Sequence, residues 1–439
     1  MLQNQGKTVM IIWSGAREHV LAEAYAASEI VSEVIVAPGN DFMLTSPKVI
    51  IEKEVVLKNI DSILIAADVY KPDLIDVAQD DALAMGAVDS LLKRGFSVFG
   101  PTQKASRIEW DKKWAREFMK KYGLPVPEFE YFNKESMREA KVYVEKLLDT
   151  YKEVFLKANG LHAGKWVVWL DKENFDKEFK NFEKILSPWE WFLVEQWLVW
   201  EEFSYYAMVD GNNCLFFPSA QDNKRAFNGD RWPNTWWMWC HSPASITDDL
   251  EADIQDIMSK VVTGMKEEGH PYTWILYFGG MVWPDRKVNI IEFNARWWDP
   301  ETQVVLPALE KDYFDLVYNY ALHWKLNQFQ SSFSQDKRVC VVGTAHPYPS
   351  SIESEKGKKI IWLEWLTEQG IKVFGAWMKD IWNNEFGVNG WRLFSAVSRW
   401  NDFGKIRSNI HSALENVWID TWKLHYRTDV ADREIKRTK

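Results

Sequence analysis

Short apolar runs alternate with small-residue loops and helical stretches through the opening of the chain, and this alternation restricts the fold more than any other feature. Residues 8–13 form an apolar run, S-G-A-R-E-H follows, and an alanine-rich helical stretch occupies residues 20–28. Residues 34–37 run into Pro38-Gly39-Asn40, residues 62–66 and 74–77 read as further strands, and residues 97–101 close the unit. Strands joined through helices pair in parallel, and a parallel sheet gathers its loops at the strands' carboxyl ends, where ligands bind. Residues 1 to about 105 are therefore expected to form a parallel-sheet α/β domain. Its first loop and the helix start behind it suit an anion.

A second stretch, K-V-N-I-I-E-F-N-A-R-W-W-D-P-E-T-Q-V-V-L-P at residues 287–307, holds the densest chemistry. The strand 288–291 continues into Glu292, Asn294 and Arg296 at alternate positions, and alternate strand residues share a face. Carboxylate and amide oxygens suit a hard cation such as Mg²⁺, which keeps water and phosphate oxygens in its shell. The Arg296 guanidinium pairs with an anion the metal leaves unneutralised, and Asp299 and Glu301 follow just beyond. Taken alone, E-x-N-x-R equally fits a half-exposed strand end with solvated charges.

Between these stretches, a helix at 111–122 carries Lys112 and Lys113. Strand 154–158, loop 159–164 and strand 166–170 follow, with Lys157 and Lys165 at the loop's two ends. Such a loop can fold over a polyphosphate, its glycines allowing close backbone approach, or it can be a plain hairpin. It is not the G-x-x-x-x-G-K-[ST] loop, because Trp166 stands where a hydroxyl belongs. Two strands then meet through residues 196–200, flanked by Glu195 and Glu202. Asp222, Lys224, Arg225, Asp230 and Arg231 crowd a segment expected to be an irregular functional loop. A helix at 246–268 and a strand at 274–278 lead back to residue 287. From about residue 331 the composition shifts, and short strands with a helix at 405–417 indicate a smaller α+β domain.

The chain's 439 residues suffice for about three domains. A net charge of -10 argues against nucleic acid as the main partner. Cys214, Cys240 and Cys340 are dispersed, as in a reducing compartment. No signal peptide or membrane span is evident, so the expected location is the cytoplasm. One count is unusual: 26 Trp against 22 Gly, where average usage would give roughly 31 Gly.

Six motifs occur in order: S-G-A-R-E-H at 14–19, A-P-G-N at 37–40, K-A-N-G-L-H-A-G-K at 157–165, P-S-A-Q-D-N-K-R-A-F-N-G-D at 218–230, P-N-T-W-W-M-W at 233–239 and E-F-N-A-R-W-W-D-P-E-T-Q at 292–303. Together they closely resemble the phosphoribosylamine–glycine ligases, ATP-grasp enzymes of purine biosynthesis. The resemblance is densest from residue 155 to 307 and loosest after 331. It implies an α/β fold with an N-terminal pre-ATP-grasp domain (1–105), an ATP-grasp α+β region (106–330) with a mobile lid near 126–195, and a small C-terminal α+β domain (331–439). It implies that ATP phosphorylates glycine and that the amine of 5-phosphoribosylamine attacks the glycyl phosphate. Glu292 and Asn294 would hold Mg²⁺ or Mn²⁺. Lys112, Lys157, Gly160, Gly164 and Lys165 would hold the ATP phosphates, and Glu195, Gln196, Leu198 and Glu202 the adenosine. Gly15, Arg17, Glu18, His19, Pro38, Gly39 and Asn40 would face phosphoribosylamine. Asp222, Lys224, Arg296, Asp299 and Glu301 would orient glycine and the amine. A monomer acting on small molecules is expected.

The chain departs from the family pattern in one consistent way: Trp13, Trp110, Trp166, Trp232, Trp236, Trp237, Trp239, Trp274 and Trp298 stand where the family has glycine. A β-carbon at a glycine-type backbone costs about 1–2 kcal/mol before any clash. Two explanations stand. TGA is read as tryptophan in some genetic codes and as glycine in others, so these positions can be glycine in the source cell. Alternatively the chain is a tryptophan-rich relative whose catalysis is lost or altered and which binds nucleotide or acts as a scaffold. A related ATP-grasp carboxylase or ligase is the other enzymatic reading.

Overall fold

The computed structural model describes residues 6–158, 167–186, 191–198, 200–346, 348–349, 352–420 and 422–437, without the side chains of 232–234, 236 and 237. The expected phosphate loop, with Gly160, Gly164, Lys165 and Trp166, lies outside the described residues.

The N-terminal unit is a parallel sheet of β1 (Lys7–Trp13), β2 (Val31–Pro38), β3 (Val49–Ile51), β4 (Leu74–Val77) and β5 (Val98–Phe99), in the order β3-β2-β1-β4-β5. Val9 to Ile12 are fully buried, as a strand covered on both faces requires. The first helix, α1 (Ala16–Ala26), begins earlier than expected, because Glu18 Oε2 accepts the Gly15 N–H at 2.9 Å and caps the turn. Residues 62–66 are not a strand but part of α2 (Ile60–Tyr70). Asn59 caps that helix by accepting from the Asp61 and Ser62 amides, and Ile63 and Ala67 face the core while Ile65 stays 62% exposed. An apolar run this short does not reveal its period.

Beyond α3 (Lys112–Lys121) lies a second sheet of β6 (Phe129–Phe132), β7 (Glu153–Ala158), β8 (Val167–Asp171) and β9 (Phe192–Gln196), antiparallel in the order β6-β9-β7-β8. Its core is closed by α4 (Met137–Thr150) and α5 (Phe175–Ile185) through Val144, Leu147, Phe179 and Phe182. The chain then enters a third sheet through β10 (Glu201–Asp210) and β11 (Cys214–Phe216). It forms the hairpin β12 (Gln221–Phe227)–β13 (Arg231–Ser242), passes α6 (Glu251–Glu267), and returns as β14 (Thr273–Val282) and β15 (Val288–Asn294). The third sheet has the order β11-β10-β14-β15.

The segment expected to be irregular is thus a hairpin, with register shifts between Asn223 and Arg225 and between Arg225 and Phe227. Bulged strands lose the clean alternation by which strands are recognised. This hairpin extends a sheet with β16 (Lys337–Thr344), β17 (Lys372–Gly375) and β18 (Arg392–Trp400), in the order β12-β13-β16-β18-β17. That sheet joins residues on both sides of position 331. The C-terminal part also carries α7 (Phe403–Leu414), capped by Asp402 on the Lys405 amide at 2.7 Å, and α8 (Asp432–Arg437).

Candidate active site

The end of β15 is the electrostatic centre of the site. Asn294 Nδ2 donates to Glu292 Oε1 at 3.2 Å, so the two side chains expected to ligate metal lie side by side. Burial pushes the Glu292 carboxyl up, but Lys224, Lys112 and Lys157 together outweigh it and leave Glu292 below the usual carboxylate range. Three lysines from α3, β7 and β12 therefore converge on one carboxylate. Burial lowers Lys112 in turn, opposed by Glu292. Such a set of cations beside a carboxylate and an amide oxygen suits a metal–polyphosphate group.

On the neighbouring hairpin, Lys224 Nζ donates to Glu202 Oε2 at 2.7 Å and lies 3.9 Å from Asp222 Oδ2. Burial pushes Asp222 up to about 6, against the pull of Lys224. Glu301 is fully buried, and its burial raises it well above the carboxylate range, with Asp222 adding to the rise. Ser204 Oγ donates to Glu301 Oε1 at 2.8 Å, while Glu301 Oε2 and Asp222 Oδ2 have no hydrogen-bond partner. Two carboxyls with unused oxygens thus sit beside one ammonium, an arrangement able to hold or accept a proton.

Arg296 lies 2.9 Å from Glu109 Oε1 and 3.5 Å from Asp80 Oδ2, with its guanidinium 4.2 Å from the Trp298 ring centre. Asp299 accepts from Gln303 Nε2 at 2.6 Å and lies 3.9 Å from Arg392 Nη1. The Trp298 ring stacks on Tyr277 at 5.6 Å, within this same group.

The residues expected to face phosphoribosylamine are placed differently. Arg17 donates to the Trp297 carbonyl at 2.6 Å and the Ala78 carbonyl at 2.8 Å, and pairs with Glu18. His19 Nδ1 accepts from the Gly375 amide at 3.0 Å. All three side chains are buried and knit α1 to its neighbours. Gly15, Pro38, Gly39 and Asn40 remain at the loop ends; Gly39 has φ +67, a left-handed turn, and Asn40 donates to the Ser14 and Gly375 carbonyls. At the connection between β9 and β10, Glu195 pairs with Lys157 and Arg116, Gln196 Oε1 accepts from the Glu128 amide, and Leu198 is buried.

Sequence reasoning missed Glu109, Asp80, Arg116 and Ser204. Arg116 was accessible, since it lies one helical turn after Lys112 and so on the same face. The other three reach the site from separate segments and leave no local pattern.

Antiparallel sheets gripping a lysine-rich centre between them define an ATP-grasp ligase. Comparison supports that class: residues 7–109 match the family model described as phosphoribosylglycinamide synthetase, N domain, and residues 110–302 match its ATP-grasp (A) domain. A phosphoribosylamine–glycine ligase of Neisseria meningitidis is 34% identical over 98% of this chain and 100% of its own. The crystal structure of the Thermotoga maritima phosphoribosylamine–glycine ligase superposes with TM-score 0.77 at 27% identity, covering 96% of this chain and 99% of that one. Biotin carboxylase of Campylobacter jejuni shares the fold alone, with TM-score 0.70 at 15% identity over 99% of this chain and 95% of its own. The chain belongs to the phosphoribosylamine–glycine ligase family.

Proposed function

We propose that the protein joins glycine to 5-phosphoribosylamine at the expense of ATP in purine biosynthesis. A glycine carboxylate oxygen attacks the γ-phosphorus and ADP leaves. The amine nitrogen then attacks the acyl carbon, and phosphate departs with one former glycine oxygen. The observation that carries this reading is the convergence of Lys112, Lys157 and Lys224 on Glu292 beside Asn294, which supplies positive charge where phosphoryl charge develops. Asp222 receives the proton the amine loses, and Arg296 holds the glycine carboxylate.

Glu292 and Asn294 suit Mg²⁺ or Mn²⁺ as oxygen donors. Among the described residues no group of three or more His, Cys, Asp or Glu forms a metal cage, so such an ion would complete its shell with nucleotide phosphates and water. When bound, it would neutralise charge on the phosphates. Among the described residues no helix is long and apolar enough to cross a membrane; we place the enzyme in the cytoplasm as a monomer. The test is glycine carrying heavy oxygen in its carboxylate. One labelled oxygen per turnover in the released phosphate is expected; unlabelled phosphate would overturn the acyl-phosphate route.

A further inference from the structure

Arg296 is held by residues far from it in sequence. Glu109 lies in the short helix Arg107–Trp110 and is 9% exposed. One of its oxygens accepts the Ala295 amide at 2.8 Å, and the other lies 2.9 Å from Arg296 Nη2. Asp80, from the N-terminal domain, approaches the same nitrogen at 3.5 Å, and the Trp298 ring lies under the guanidinium. The two carboxylates hold the guanidinium whether or not position 298 carries a ring, while Arg296 Nε stays buried without a hydrogen-bond partner. A buried donor left unused on a group otherwise held by two carboxylates calls for an explanation beyond the pair itself. We propose that Glu109 is a positioning residue, whose carboxylate aims the Arg296 guanidinium at the carboxylate of glycine. This rests on the reading that Arg296 touches that substrate.

Glu109→Gln keeps the acceptor for the Ala295 amide and removes the charge. The expected result is a rise of about tenfold in KM for glycine, the loss of one charge-assisted contact, with KM for ATP unchanged and Tm lowered because buried Arg296 keeps only Asp80 as a partner. Glu109→Asp should recover part of that loss, and adding Glu109→Gln to Arg296→Lys should cost nothing further. An unchanged glycine KM in Glu109→Gln overturns the proposal. An unchanged glycine KM in Arg296→Lys overturns instead the reading beneath it.

The tryptophans differ in how well their surroundings fit them. Trp297 is fully buried with its indole N–H 3.4 Å from Tyr313 Oη, and Trp114 stacks on Phe118 at 5.1 Å. Trp324 and Trp362, by contrast, are 50% and 62% exposed, and both have left-handed backbone, with φ 60 and φ 66. Trp324 ends the short helix Ala321–His323, the position where glycine is the ordinary solution. Trp274 is fully buried on β14 with φ 151. A bulky residue in such conformations costs about 1–2 kcal/mol, and at 324 and 362 half or more of the residue's surface stays exposed, which limits the burial that could offset it. Neither of those two positions is one where family resemblance asks for glycine, so backbone conformation points the same way independently. We infer that glycine occupies positions 274, 324 and 362 in the protein as its source cell makes it, through a TGA codon read there as glycine.

The test is peptide mass on the native protein. The tryptic peptides 312–325, 360–372 and 267–286 should each be lighter by about 129 Da per substituted site, the residue-mass difference, which marks a position free to adopt φ > 0. Peptides at the tryptophan masses would overturn the inference. As a second readout, Trp324→Gly and Trp362→Gly in recombinant protein should each raise Tm; a fall in both would contradict the conformational argument.

Discussion

Lys157 and Glu195 sit diagonally across the β7–β9 ladder with Nζ 2.5 Å from Oε2, and Arg116 closes on the other oxygen of the same carboxylate. The Glu195 side chain is therefore paired with two cations at once. That pairing fixes the position of the Lys157 ammonium.

Lys157→Ala should raise KM for ATP about tenfold to a hundredfold, the range for removing one charge-assisted phosphate contact. It also leaves Glu195 paired only with Arg116, so a modest fall in Tm should accompany it. Initial rates at varied ATP check the first expectation and thermal melts the second.

Three lysines hold the Glu292 carboxyl low. Glu292→Gln removes the proposed anionic metal ligand and leaves the lysines' repulsion uncompensated, so kcat should fall by about a hundredfold or more. Isothermal titration with ATP at varied Mg²⁺ should show that the metal no longer strengthens nucleotide binding.

Asp222 is raised to about 6 by burial. As the proposed proton acceptor it must be ionised, so kcat/KM should fall as pH drops below about 6 and level off above. Asp222→Asn should lower kcat/KM and abolish that acidic limb. A pH profile of both proteins reads this directly.

Asp76 is fully buried, accepts from Tyr25 Oη at 2.7 Å, and is raised by burial from 3.8 to about 7. Its folded value exceeds its unfolded value, so its contribution to stability is fully present below about 4 and is lost as pH rises through about 7. Asp76→Asn should therefore stabilise the protein at pH near 8 by up to a few kcal/mol, on the order of the shift converted to energy, and make little difference near pH 4. Urea melts at both values check the sign.

The sequence showed the parallel opening and the alternation of Glu292, Asn294 and Arg296 because both are local periodicities. Residues 62–66 were misread because a short apolar run fits either period, and the helix there is declared by the Asn59 cap rather than by the run itself. The β12–β13 hairpin was hidden by its bulges and its charges. At the site, Lys112, Lys157 and Lys224 were legible singly, each at the end or edge of an element, but their meeting at Glu292 is tertiary. Glu109 illustrates the limit: nothing in R-I-E-W announces a carboxylate that will fix Ala295 and Arg296 nearly two hundred positions later. Arg17, Glu18 and His19 show another limit, since a polar loop after a strand does not reveal that these side chains also make internal contacts that hold a helix.

The central claim is glycine-dependent ligation, and the most direct measurement is ADP release by protein isolated from its source cell with ATP, phosphoribosylamine and either glycine or bicarbonate. The account predicts ADP formation that requires both glycine and phosphoribosylamine, with glycinamide ribonucleotide appearing in equal amount. ADP release driven by bicarbonate, or nucleotide binding with no glycine-dependent turnover, would contradict it.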